Sequence, residues 1–164
     1  MVKVLVGMIA AGKSTYARNA AAKGFVILND DALVTALHGG DYSLYSKDLK
    51  PLYKSTENHI LTTALALGRS VVVDRGLNCS AVSRARWIAL ARSLDVPVEA
   101  VVFKNEGPVV HAGRRAKADG RGYAFSYWHR VAAHHDSLWQ EPVLSEGFAA
   151  VDYLSWPYIQ SGGL

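Results

Sequence analysis

Cysteine is almost absent from this chain. Cys79 is the single one among 164 residues. No intrachain disulfide can form, and no thiolate cluster can hold zinc. Long apolar runs are missing too. None approaches the ~20 residues that a membrane-spanning helix requires. The N-terminus has no charged stretch leading into a long apolar one with a small-residue cleavage site, so a cytoplasmic, soluble protein is expected. No internal repeat and no low-complexity linker divides the chain. Acidic residues are in mild deficit, 14 against 18 lysines and arginines, for a net charge of +4. That excess suits an anionic substrate, and an ordinary solvated surface accounts for it nearly as well.

What is present is half hydrophobic. This is enough for one domain with a real core, over residues 1–164. Short β-branched runs alternate with helix-length segments. Lys3 to Val6, Phe25 to Leu28, Ser70 to Val73, Val98 to Phe103 and Ala149 to Leu154 read as strands. Between them, Ser14 to Lys23, Asp31 to Leu37, Tyr53 to Leu67, Ala81 to Leu94, Val109 to Ala118 and Ser126 to Trp139 read as helices. Tyr53 to Leu67 sets Ile60, Leu61, Ala64 and Leu65 on one face, and Ala81 to Leu94 does the same with Trp87, Ile88, Ala91 and Leu94. Asp41 to Pro51 shows no period. Strands apolar on both faces and alternating with helices predict an α/β fold, a parallel sheet of about five strands sandwiched by helices.

Gly7 to Ser14 (GMIAAGKS) fits G-x-x-x-x-G-K-[ST] between a strand and a helix, which is the context a phosphate-binding loop needs. Its backbone N–H groups would face phosphate oxygens, and the helix from Lys13 adds the positive end of its dipole. Gly7, Ala10, Ala11, Gly12, Lys13, Ser14 and Thr15 are the expected nucleotide contacts, with Lys13 on the β/γ oxygens and Ser14 on Mg²⁺. The loop's curl is expected from Gly7 and Gly12 alone, with Ala10 and Ala11 small enough to permit it.

The loop specifies a triphosphate, ATP or another, without naming the acceptor. No N-K-x-D guanine signature is present, and the chain is short for a mechanical ATPase, so a small phosphotransferase is favoured. Transfer to a hydroxyl needs a carboxylate to take the proton. Asp30, after the second strand, is the expected base. Asp31 is the fallback base and an expected acceptor contact, or else caps the helix that follows. Asp74, after the third strand, is assigned to the metal's outer shell or to the acceptor. Arg114, Arg115, Lys117 and Arg121 form a basic helix broken by glycines, a lid over approximately residues 111–125. Arg115 and Arg121 are expected on the transferred phosphate, with Arg114 third. His129, His134 and His135 read as surface histidines. The tryptophans at 87, 128, 139 and 156 read as core or interface.

The loop, the "NDD" after the second strand, "VVVDRGLNCSAVSRARWIALA" with "VPVEAVVF", and "EPVLSEGFAAV" together resemble bacteriophage-type 5′-polynucleotide kinases, over roughly Val2 to Leu154. The resemblance implies a P-loop kinase fold and ATP-dependent phosphorylation of a 5′-hydroxyl of DNA or RNA, with nucleic-acid ends as the partner. It places the general base on Asp30, the second strand-end aspartate on Asp74, and the asparagine of the next loop on Asn78, an acceptor contact. It puts lid arginines between Arg114 and Arg121. The family's arginine shortly after the aspartate pair is replaced here by Leu33, and Arg75 is the candidate substitute. No D-x-D-x-T phosphatase motif occurs. A small-molecule kinase, a kinase of hydroxymethylated bases in DNA, or a nucleotide-binding module without transfer are the alternatives. A basic groove leading from Asp30 would favour the polynucleotide, and a closed pocket over Asp30 the small molecule.

Overall fold

A computed structural model describes residues 1–119 and 122–154. Five parallel strands form one sheet in the order β2-β3-β1-β4-β5. They are β1 (Val2–Val6), β2 (Val26–Asn29), β3 (Val71–Asp74), β4 (Val98–Phe103) and β5 (Ala150–Leu154). Six helices connect them: α1 (Lys13–Ala21), α2 (Asp30–Leu37), α3 (Lys50–Ala66), α4 (Ala81–Arg92), α5 (Pro108–Ala118) and α6 (Phe125–Ser137). Among the described residues no helix is long and apolar enough to cross a membrane.

The period-two alternation of the strands divides the core. Val2, Val4, Val6, Val71, Val73, Val98, Ala100 and Val102 face α3 and α4, where Leu61, Leu65, Trp87, Ile88 and Ala91 fill the layer. Leu5, Val72, Val101 and Phe103 face the other way, onto Tyr16, Ala17 and Ala20 of α1. Burial on both faces is why these strands lack polar alternation. A third cluster joins Met8 of the phosphate loop to Ala112 of α5 and to Trp128 and Ala132 of α6. The helical hairpin is thus packed directly on the loop.

Most boundaries lie within one to three residues of those expected. Leu94 departs: it follows the end of α4 and is exposed, because the chain turns at Ser93 and Asp95 takes a positive φ of 55°. The aperiodic segment from Asp41 to Pro51 holds two short 3-10 turns, at Tyr42–Leu44 and Lys47–Leu49. Asp41 and Ser46 cap them by accepting from Ser43 N and Asp48 N.

The sheet order reverses at β1, with β3 on one side and β4 on the other. Ligands of open α/β sheets sit beyond the carboxyl ends of strands at such a switch point. Gly7 to Gly12, Asp30 and Asp74 all lie at that edge.

Candidate active site

The loop after β1 curls differently from the expectation. Gly12 takes φ 99° as the N-cap of α1, but the second left-handed position is Ala10, at φ 53°. Gly7 is needed for space, since a Cβ there would stand 2.9 Å from Phe103 Cβ and 3.3 Å from Ala11 Cβ. Ala11 packs beneath the loop in the α1 core. Lys13 is buried, and its Nζ donates to the carbonyls of Gly7 at 2.9 Å and Met8 at 2.7 Å. Burial lowers the Lys13 pKa, and the Asp74 carboxylate is the largest influence opposing that. Ser14 is exposed at the first turn of α1, and Thr15 Oγ1 accepts from Arg18 at 3.2 Å.

The two aspartate sites are tied together by Asn29. Its Oδ1 accepts from Ala32 N at 2.8 Å, capping α2. Its Nδ2 donates to Asp74 O at 3.0 Å and Asp74 Oδ2 at 3.2 Å. The cap of α2 is therefore Asn29, and Asp31 sits inside the first turn, where the helix dipole favours a carboxylate. Asn29 was not anticipated, although an asparagine immediately before two acids at a strand end is a legible cap signal. Asp74 is buried, and its Oδ1 accepts no hydrogen bond from the described residues. A hydroxyl at Ser14 and this carboxylate are hard oxygen donors of the kind Mg²⁺ takes, and the pair fits that ion.

Asp30 is held by Arg75, whose Nε donates to its Oδ2 at 2.7 Å. Both line a cavity of about 500 Å³. Its far wall is Tyr42, Tyr45 and Tyr53, stacked in sequence with ring centroids 6.1 and 5.6 Å apart. Tyr53 is anchored by His38 Nε2 at 2.7 Å. Burial raises the Tyr42 phenol to about 12, helped by Asp31, to which it is hydrogen bonded, so it remains a neutral donor. Glu57 and Arg86 form an ion pair in the same wall, with the Arg86 guanidinium 3.8 Å above the Trp87 ring. None of these wall residues was expected. Tyr42 and Tyr45 fall where periodicity fails, while Tyr53, Glu57 and Arg86 lie on helices read only for their apolar faces.

Asn78 does not reach the cleft. It is fully buried, its Nδ2 donates to Leu5 O at 3.2 Å and Val73 O at 3.3 Å, and its Oδ1 accepts from Trp87 Nε1 at 3.1 Å. Every polar group of its amide is used in joining β1, β3 and α4, so it is a strut and not an acceptor contact. Arg84 has a similar part. It donates to Glu146 at 2.6 and 2.9 Å and to the carbonyls of Asn78, Cys79 and Gln140. The motif stretches from Asp74 to Trp87 and from Glu146 to Phe148 are thus two halves of one buried frame.

In the helical hairpin, Arg114 is ion-paired with Glu106, and Arg115 lies 4.6 Å over the Trp128 ring. Asp119 Oδ2 accepts from Tyr123 N and Trp128 Nε1, bracketing the connection. Both arginines are half-buried, and Arg121 lies outside the described residues. His135 is buried, against the expectation of a surface position, because the spacing 128, 132, 135 turns it inward onto Gly76. Burial pulls its pKa down to about 4, with Lys13 as the next cause. His134 is exposed and His129 packs on Phe125. Trp87 and Trp128 are core, Trp139 is partly buried between two clusters, and Trp156 lies outside the described residues. No group of three metal-ligating side chains occurs among the described residues.

Solved structures share this architecture. A shikimate kinase from Acinetobacter baumannii, solved with shikimate, superposes with a TM-score of 0.59 at 16% identity, covering 98% of this chain and 87% of its own. A sugar kinase from Janibacter sp. HTCC2649 gives 0.59 at 16% identity, covering 94% and 84%. Kti12 from Chaetomium thermophilum, in complex with ADP-AlF3, gives 0.57 at 16% identity, covering 99% and 93%. At that identity the likeness establishes the P-loop kinase fold. No curated protein matches the sequence. Residues 2–134 match the family model of the AAA domain, and the chain belongs to that family of P-loop proteins.

Proposed function

We propose that the protein is an ATP-dependent phosphotransferase acting on the hydroxyl of a small molecule. The observation that carries this reading is the Asp30 carboxylate, held by Arg75, in a walled cavity of about 500 Å³ beside the phosphate loop. That volume is in the range of small-ligand sites. A single nucleic-acid strand needs an open groove with stacking platforms. The order of the two readings from sequence is therefore reversed.

In this reading, Asp30 accepts the proton of the acceptor hydroxyl as its oxygen bonds to the γ-phosphorus. The bond from that phosphorus to the β–γ bridging oxygen breaks, and ADP leaves. Lys13 moves from the Gly7 and Met8 carbonyls to the β/γ oxygens, and the loop N–H groups hold the phosphates. Ser14 and Asp74 would hold Mg²⁺, and the ion would supply positive charge to the phosphates. Arg114 and Arg115 reach the γ-phosphate only once the helical hairpin rearranges over both substrates.

A 5′-hydroxyl nucleic-acid end is the second reading. The exposed Tyr42 ring and the lysines of α3 at the rim favour it, because they offer a stacking face and cations to a terminal nucleotide. Incubation with γ-labelled ATP, Mg²⁺, and a panel of polyols, hydroxy acids, nucleosides and 5′-hydroxyl oligonucleotides separates the two. Label on a small alcohol and none on oligonucleotides is the expected result. Label on oligonucleotide ends alone overturns it, and no transfer to any acceptor leaves a nucleotide-binding module.

A further inference from the structure

The cavity over Asp30 has an unbalanced set of charges. Each of its carboxylates has a partner in the protein: Asp30 has Arg75, Glu57 has Arg86, and Asp31 has the Tyr42 hydroxyl. Two of its cations have none. Lys50 and Lys54 lie one turn apart on α3, both line the cavity, and neither pairs with any described residue. Lys3, by contrast, pairs with Glu99 at 3.3 Å. Arg75 adds a third unmet group. Its Nε is used by Asp30, while no described residue accepts from its Nη atoms. The first turn of α3 has no acidic residue and no side-chain cap, so its free N–H groups add positive potential at the same rim.

From these features, and resting on the phosphotransferase reading, we propose that the acceptor is an anion. It carries a carboxylate or phosphate, received between Lys50, Lys54 and the free edge of Arg75, with its hydroxyl directed to Asp30. Arg75 then holds base and acceptor at once. A neutral polyol would leave the lysine pair unmatched and gain nothing from it.

The test uses sulfate as a shape-independent anion. The protein is first saturated with Mg²⁺ and a non-hydrolysable ATP analogue, so that the phosphate loop is filled. Sulfate replaces chloride at constant ionic strength, and the amide shifts of Tyr53, Lys54 and Arg75 are followed by NMR. Saturable binding is expected, weakened at least about tenfold in the Lys50→Gln/Lys54→Gln double variant with an unchanged Tm. Shifts that do not saturate, or the same affinity in the double variant, overturn the proposal. ADP release is then compared across hydroxy acids, phosphorylated alcohols and their neutral counterparts. Preference for either anionic class supports the proposal and identifies the anion. Preference for neutral alcohols overturns it and leaves the kinase reading intact. Saturable, lysine-dependent sulfate binding with no ADP release from any acceptor supports the anion site and removes the kinase reading instead.

Discussion

Arg75 Nε donates to Asp30 Oδ2 at 2.7 Å, linking the residue after β3 to the first residue of α2. The pair joins two neighbouring strands of the sheet at their carboxyl ends. Asp30 Oδ1 in turn accepts from Asp31 N at 3.1 Å, so both oxygens are held and each keeps a lone pair for an acceptor proton.

Removing the carboxylate should remove the chemistry and spare the nucleotide. Asp30→Asn is expected to lower kcat by about 10²–10⁴-fold, the usual range for a positioned base. Nucleotide affinity, read by calorimetry, should stay unchanged. Arg75→Ala should lower kcat by about 10²-fold through misplacement of the base, and Arg75→Lys should restore only part, because an ammonium lacks the guanidinium's fixed geometry. Turnover of Arg75→Ala within twofold of the parent would sink the positioning role.

The strained position of the phosphate loop is Ala10, at φ 53°. A left-handed L-residue costs about 1–2 kcal/mol, which glycine avoids at some cost in chain entropy. Ala10→Gly should therefore stabilise the fold by up to about 1 kcal/mol, and Gly12→Ala should destabilise it by about 1–2 kcal/mol. Urea midpoints measure both. A lower midpoint for Ala10→Gly would refute the strain.

The sequence made the strands, the helices and the phosphate loop legible because each rests on a local pattern: apolar runs, turn residues and one motif. Asp30 and Asp74 were legible for the same reason, as acids at strand ends. The wall of the cavity was not. Tyr42, Tyr45 and Lys50 come from a segment without period, and Tyr53, Glu57 and Arg86 come from two helices that meet only in the fold. His135 was misread because burial depended on which side of α6 meets Gly76. Asn78 carries the right residue type for a ligand contact, and only its partners show that it braces strands.

The buried pair of Arg84 and Glu146 should govern stability rather than catalysis. Arg84 is wholly buried and satisfies three backbone carbonyls besides the carboxylate. Arg84→Met leaves Glu146 without its partner and should cost about 3–5 kcal/mol. Replacing both, as Arg84→Met/Glu146→Leu, should recover part of that loss, since no lone charge is then left. Thermal unfolding of the two variants checks this. Full stability of Arg84→Met, with activity lost, would move Arg84 from the frame to the site.

His135 makes stability depend on pH. Burial, with Lys13 nearby, holds its folded pKa at about 4, below the ordinary histidine value of 6.5. Between those two values the unfolded chain protonates at this position and the folded chain does not. The unfolded state then binds more protons, so stability is highest above pH 6.5 and falls as pH drops toward 4. His111 is lowered by burial as well and acts in the same sense. Over that window the His135 share is about 2–3 kcal/mol. His135→Gln should flatten the fall in urea midpoint across the same range and leave the smaller slope due to His111. An unchanged slope in the variant would show that His135 is solvated enough to titrate normally, and that Gly76 does not seal it.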